Sequence, residues 1–206
     1  MAAQTSDALP KNSLHNTRGA IPLNDAFERL RWSIFEDVSK ILVLDEPETR
    51  NPGLSPFEGH TIAAESASEI PLTEIAFSID ELNQFHANGI SGFQRPKPVV
   101  VSRADGGTVT VADVVQQLSV YFLSYKEDIL RAKEAYLEES TSDYGTDDEQ
   151  VGTATICEGH GAHQPANRRV FFDGFFGIIE PTMEALPVLL WAKGEGSSSL
   201  DDRLLQ

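Results

Sequence analysis

The stretch VADVVQQLSVYFLSYKEDILRAKEAY, Val111–Tyr136, carries apolar side chains at every third or fourth position. This spacing lines one face of a helix with Val111, Val115, Leu118, Phe122, Tyr125, Ile129, Ala132 and Tyr136. Ser124 and Glu127 have the spacing of a capping pair, so one long helix and two abutting helices both remain open. Because no regular charge pattern flanks the apolar face, we expect it to lie on a sheet rather than in a coiled coil.

The residues just before this stretch favour a β-hairpin that leads into the helix. Val99–Val101 and Thr108–Val111 are rich in β-branched residues, which favour strands. Between them, the sequence ADGG supplies the positive φ angles that a tight turn needs. Thr110 and Asp113 then have capping-box spacing, which predicts where the helix begins.

Other segments complete a predicted α+β domain. Asn24 can cap a helix over residues 24–40, and Ser78 with Glu81 can cap a short helix after a strand at Leu72–Phe77. The expected buried positions are Phe27, Leu30, Ile34, Val38 and Ile41 on the first helix, and Ile79, Leu82 and Phe85 on the second. Further strands are predicted at Val170–Phe172, Phe175–Ile179 and Val188–Trp191.

We therefore expect an α+β fold in which an antiparallel sheet packs one face against the helices of residues 24–40 and 111–137. A single domain is expected to span residues 21–194. Proline and glycine predict a loop over residues 45–60, and composition predicts disordered tails at 1–20 and 195–206. An acidic, glycine-containing segment at 138–167 is expected to form a long flexible loop.

The charge balance excludes some classes of partner. The chain has 16 Lys and Arg against 32 Asp and Glu, a formal net charge of -16. Such a surface repels nucleic acid and anionic lipid, so neither is an expected partner, whereas a basic protein is. The single cysteine and the lack of an apolar leader near Met1 favour a reducing compartment, the cytoplasm or the nucleus.

The sequence ICEGHGAH, Ile156–His163, holds the candidate metal ligands Cys157, His160 and His163. A structural zinc site needs four ligands, and Glu158 or His60 could supply the fourth. The same residues could form a cysteine nucleophile with a histidine base. Glycines between these residues oppose a helix, so a loop with incidental donors is the favoured interpretation. No residue is assigned as catalytic or cofactor-binding.

Two short sequences, GGTVTVADVVQQL and RRVFFDGFFGII, resemble a group of small fungal domains of unknown function. The matching positions are Val109, Thr110, Val111, Asp113 and Val114, then Arg168, Arg169, Val170, Phe172 and Gly174. The resemblance covers about half of the chain, and the second helix and the acidic insertion depart from the pattern. It implies a compact α+β domain in a fungal cell and no known activity.

Together these features predict a non-enzymatic intracellular module for protein–protein interaction. Its expected contact surfaces are the acidic segment, which favours a basic partner, and any apolar helix face left uncovered. The alternative is a small metal-binding protein or enzyme that uses Cys157, His160 and His163, with zinc as the metal.

Overall fold

A computed structural model of the protein describes residues 20–47, 49, 52–88, 95–142, 169–180 and 182–192, with side chains of the last helix described to Ala135. The predicted tails, apart from Ala20, and nearly all of the predicted loop at 138–167 lie outside these residues. The described residues form three α-helices: α1 Asp80–Ala87, α2 Val111–Ser124 and α3 Lys126–Ser142. Helix α3 therefore extends beyond residue 138, where the loop was expected to begin.

Seven strands form two sheets in the described part of the chain. The smaller sheet is antiparallel and contains β1 Leu30–Arg31, β2 Leu42–Leu44 and β3 Leu54–Pro56. The larger sheet has the order β5-β4-β7-β6, with β4 Glu74–Ile79, β5 Val99–Ser102, β6 Val170–Phe175 and β7 Leu186–Ala192. The α+β prediction is confirmed. The larger sheet is mixed, because β4 and β7 are joined by a long crossover and pair in parallel.

The Val111–Tyr136 stretch forms two abutting helices, since α2 ends at Ser124 and Tyr125 is its C-cap residue. The predicted positions Val111, Val115, Leu118, Phe122, Ile129 and Ala132 are all buried. They share one hydrophobic cluster with the sheet residues Ile75, Phe77, Ile79, Val101, Val188 and Leu190. Burying one large apolar side chain contributes about 1.5–3 kcal/mol, so this contact is the main stabilising layer.

The helix predicted over residues 24–40 is wrong. Asn24 does cap a turn, because its side chain accepts the Ala26 N–H at 2.8 Å, but this 3-10 turn covers only Asp25–Arg29. The chain then becomes extended at β1, and a second 3-10 turn follows at Val38–Lys40. Leu30, Trp32 and Ile34 are buried in alternation, which is the period of a strand.

The predicted hairpin is also wrong, although its turn is correct. The Gly106 N–H donates to the Arg103 carbonyl at 3.0 Å, and Gly106 has φ of 69°. After this turn the chain does not return along β5. The Val109 N–H instead donates to the Leu72 carbonyl, and the Val109 carbonyl accepts the Ala67 N–H, so this residue is held away from β5. Strand β5 pairs with β4.

Helix α1 follows β4 directly, and its predicted buried positions Leu82 and Phe85 are confirmed. The capping box expected from Ser78 and Glu81 does not form, because the N-cap residue is Ile79 and lacks a side-chain cap bond. The Ser78 hydroxyl instead accepts a hydrogen bond from the Asn83 amide at 3.0 Å. Glu81 turns into the core.

Two further strand predictions need correction. The segment Phe175–Ile179 contributes only Phe175 to β6, and Ile179 forms an isolated bridge with Ile21. The loop expected over residues 45–60 contains β3, which is paired with β2. Strands expected at Val170–Phe172 and Val188–Trp191 are confirmed inside β6 and β7.

Candidate functional site

An open cleft of about 980 Å³ lies at the end of β5. Its walls are the turn after β5, the first turns of α2, and the 3-10 turn Thr61–Ala64. The polar side chains that face it include His60, Arg103, Asp105, Asp113 and Gln117. The cleft is therefore built where the 3-10 turn Thr61–Ala64 meets the chain segment that leads from β5 into α2.

Arg103 and Asp105 form a two-bond ion pair across the tight turn. Arg103 Nε lies 3.0 Å from Asp105 Oδ1, and Arg103 Nη2 lies 2.8 Å from Asp105 Oδ2. The Gly107 N–H also donates to Asp105 at 2.9 Å. These bonds, led by those from Arg103, lower the pKa of Asp105 to about 2. Both groups stay charged at neutral pH and hold the turn closed.

Asp113 caps helix α2, as the sequence predicted. Its Oδ2 accepts the Thr110 N–H at 2.8 Å and the Thr110 hydroxyl at 2.6 Å, and Thr110 Oγ1 accepts the Asp113 N–H at 3.3 Å. Arg103 Nη1 lies 3.9 Å from the same carboxylate oxygen. The positive end of the α2 dipole thus faces a carboxylate of the chain itself, which disfavours an incoming anion.

His60 is a structural cap. Its Nδ1 accepts the Ile62 N–H at 3.2 Å, which starts the 3-10 turn. In a neutral ring the proton then sits on Nε2, which lies 3.4 Å from Asp45 Oδ1. Asp45 in turn accepts a hydrogen bond from the Ser55 hydroxyl at 2.9 Å. If His60 is the fourth metal ligand, it can bind the metal only through Nε2, because Nδ1 accepts the Ile62 N–H. Glu158, the other candidate for this position, lies outside the described residues.

The three predicted metal ligands, Cys157, His160 and His163, lie outside the described residues. Across the part of the chain that the structure does describe, no group of three or more His, Cys, Asp or Glu side chains is placed to hold a metal ion. The zinc hypothesis stays a prediction.

The outer edge of β5 adjoins the cleft. Gln117 Nε2 donates to the Ser102 carbonyl at 3.1 Å, and the Tyr121 hydroxyl donates to the Lys97 carbonyl at 3.0 Å. Burial raises the pKa of Tyr121 to about 12, so its hydroxyl stays a donor. Both side chains come from α2, and their hydrogen bonds lie at opposite ends of β5.

Backbone groups at the middle of this edge also point outward. In an antiparallel strand the N–H and C=O of one residue face the same side, and this side alternates along the chain. Since the Ser102 carbonyl turns toward Gln117, the backbone groups of Val100 point away from β4 as well. The Val100 side chain is 53% exposed. The name β5 surface is used below for Glu74, Val100, Ser102 and the cleft.

Other large apolar side chains are also exposed, including Leu54 and Ile70. On α2, Val120 and Leu123 are 66% and 51% exposed, and they lie three residues apart on one side of the helix. After β6, Phe176 is 65% exposed. Val120 and Leu123 form an uncovered apolar helix face of the kind that the sequence analysis associated with partner contact, whereas Phe176 lies outside the helices.

A buried ion pair joins Glu81 of α1 to Lys133 of α3, and the sequence analysis missed it. Glu81 Oε1 lies 3.0 Å from Lys133 Nζ and accepts the Leu190 N–H at 2.9 Å, while Lys133 donates to the Leu190 carbonyl. Burial raises the pKa of Glu81, and Lys133 offsets part of that rise. Strand β4 pairs with β7 only as far as Val188, so this pair supplies the hydrogen bonds that β4 no longer offers at Leu190.

The position of Lys133 is the signal that could have revealed this pair. It follows Ile129 by four residues, so it shares the apolar face of α3. A lysine on a buried helix face requires a partner, because burying an unpaired charge is costly.

Comparison of the chain with protein-family models, curated proteins and solved structures finds no match. The resemblance to small fungal domains therefore stays a prediction. Among the described helices, none combines the length and the apolar character needed to cross a bilayer.

Proposed function

We propose that the protein is a non-enzymatic protein-interaction module that binds a basic partner at the β5 surface, in the cytoplasm or the nucleus. One observation carries this proposal: the charged side chains that face the cleft are committed to the fold. Arg103 and Asp105 hold each other, and Asp113 holds the start of α2. A general acid or base must be able to exchange a proton with a substrate, and these groups already serve structural bonds.

The charge of the molecule supports a basic partner. The net charge of -16 attracts cationic segments and raises their association rate at low ionic strength. Locally, Glu74, Asp105 and Asp113 carry three negative charges near the end of β5, against one positive charge on Arg103. Glu74 is exposed and pairs with Ser102 across the two strands.

The test is capture of partners from an extract of the source cells on the immobilised full chain, followed by reconstitution with the purified partner. We expect binding that weakens with salt and that falls several-fold in Glu74→Lys. Glu28→Lys is the matched control, because it makes the same charge change at an exposed position away from β5. Equal binding by the two variants, or no purified partner that binds, would count against the proposal.

The metal-binding alternative has its own measurement. Elemental analysis of the wild-type protein and of Cys157→Ala compares their zinc content. Stoichiometric zinc that is lost in the variant would favour the alternative function, whereas equal background levels would favour the interaction module.

A further inference from the structure

The two edges of the larger sheet are closed to different extents. At β6, the segment Trp32–Ile34 runs alongside and exchanges backbone hydrogen bonds with the strand. At β5, the partners are two side chains, Gln117 and Tyr121, and each of them reaches a carbonyl group. No described strand pairs with the outer side of β5. Its backbone N–H groups therefore lack the kind of partner that closes β6.

We infer that the partner presents an extended basic segment, which adds to the outer edge of β5 as a fifth strand and continues into the cleft. This inference rests on the proposed function and specifies how the partner is recognised. Strand addition of this kind obtains its affinity from main-chain hydrogen bonds and its specificity from alternate side chains.

The backbone of β5 sets where such a segment can pair. Val100 offers an N–H and a C=O on the outer side, and by the same alternation Ser102 offers its N–H. Pro98 has no N–H to donate, so pairing is limited on that side. Beyond Ser102 the edge opens directly into the cleft. The segment is therefore short, and its far end lies in the cleft.

Side-chain alternation sets the chemistry of the segment. Val100 and Ser102 point to the same face of the sheet, and Glu74 lies on that face opposite Ser102. An apolar residue beside Val100 and a basic residue two positions along, near Glu74, would complement this face. Asp105, whose side chain is 60% exposed, lies further along at the cleft. The matching sequence therefore has a β-branched residue and a basic residue two positions apart.

A second copy of the chain is the competing occupant of this edge. Its net charge of -16 opposes self-pairing, because two such chains repel each other. The basic segment of another protein meets no such repulsion, and the outcome of the test separates the two.

The test uses the full chain and a short blocked lysine–valine peptide, in which valine and lysine lie two positions apart with threonine between them, observed by amide NMR. We expect shifts that centre on residues 99–102, slower hydrogen exchange at the Val100 N–H, and weaker binding at high salt. A matching glutamate–valine peptide should bind at least tenfold more weakly, by charge alone. Shifts elsewhere without protection of Val100, or equal binding of both peptides, would overturn the inference.

Val100→Pro tests the hydrogen bond itself. It removes an N–H that points away from β4, so the internal ladder stays intact and the melting temperature should change little. Peptide affinity should fall about tenfold. Val101→Pro is the matched control, because the Val101 N–H points toward β4 instead of outward and the Val101 side chain is buried. This variant should unfold the domain.

Val100→Lys provides a second variant if the proline variant fails to fold. It keeps the backbone N–H and places a positive charge on the edge, so it should weaken binding of the lysine–valine peptide by a similar factor. Unchanged peptide binding in a folded variant would overturn strand addition, even if Glu74→Lys still weakens binding of the natural partner. Sedimentation that reveals a dimer, lost in Val100→Pro, would instead assign this edge to self-pairing.

Discussion

The two outer strands of the larger sheet, β5 and β6, show two ways of closing a sheet edge. The backbone of residues 32–34 closes β6: the Phe172 N–H donates to Trp32 at 2.9 Å, and the Ile34 N–H donates to Val170 at 3.0 Å. Side chains from α2 cover β5, and they satisfy acceptors only. A backbone partner satisfies donors and acceptors together, whereas an amide or hydroxyl reaches one carbonyl. The sheet is thus sealed at one edge and has outward donors at the other.

The surroundings of β5 suit an edge that must avoid uncontrolled pairing. The strand has four residues, and prolines precede it at positions 96 and 98. Short strands, prolines and nearby charges such as Lys97 discourage self-association of exposed edges. These features limit pairing to a short segment rather than abolish it.

The largest expected effect comes from breaking the sealed edge. Trp32 is buried, and its ring lies 5.4 Å from that of Phe122 and 5.3 Å from that of Phe172. Trp32→Ala should lower the free energy of unfolding by about 4 kcal/mol, measured by chemical denaturation. Leu123→Ala, at an exposed position, should cost less than about 0.5 kcal/mol. Similar losses in the two variants would show that residues 32–34 do not hold β6.

The next effect concerns β7, an inner strand of the larger sheet that pairs with β4 and β6. Lys133→Met leaves the buried Glu81 carboxylate without its ion-pair partner, so unfolding free energy should fall by about 3 kcal/mol. Adding Glu81→Gln removes the buried charge and should restore most of that loss, as measured by a double-mutant cycle. A double variant that is as unstable as the sum of the two singles would contradict the pairing.

The smallest effect concerns the turn beside the open edge. The Asp105 pKa is lowered to about 2, chiefly by hydrogen bonds from Arg103. Because this pKa is depressed, the contribution of Asp105 to stability is present above its ordinary value of 3.8 and is lost as pH falls toward 2. In Arg103→Gln, carboxyl NMR should show the Asp105 midpoint moving up toward 3.8. An unmoved midpoint would mean that Arg103 does not hold this carboxylate.

The apolar stripe after Val111 could be predicted because its spacing matches only one kind of element. Its positions recur over more than seven turns of helix-like pattern, and the Thr110–Asp113 cap marks the start locally. Residues 30–34 were predicted wrongly for the converse reason. Leu30 and Ile34 are four apart, which fits both a helix turn and a strand face, and the intervening Trp32 settles the choice only through its contacts.

The candidate site was less accessible to sequence reasoning. Asp113 and the turn at Gly106 are local features, and both were predicted. The contact of His60 with Asp45 joins residues fifteen positions apart, and the Glu81–Lys133 pair spans fifty-two residues. Local spacing carries no information about such contacts.

The sequence alone determined the α+β class, the buried face of α2 and α3, and the acidic charge, because each depends on composition or on periodicity within one element. Only the tertiary structure decided that β5 pairs with β4 instead of folding back as a hairpin, and that one edge of the sheet is sealed while the other keeps outward donors. Strand pairing depends on which distant backbone groups meet, and many pairings satisfy the same local pattern.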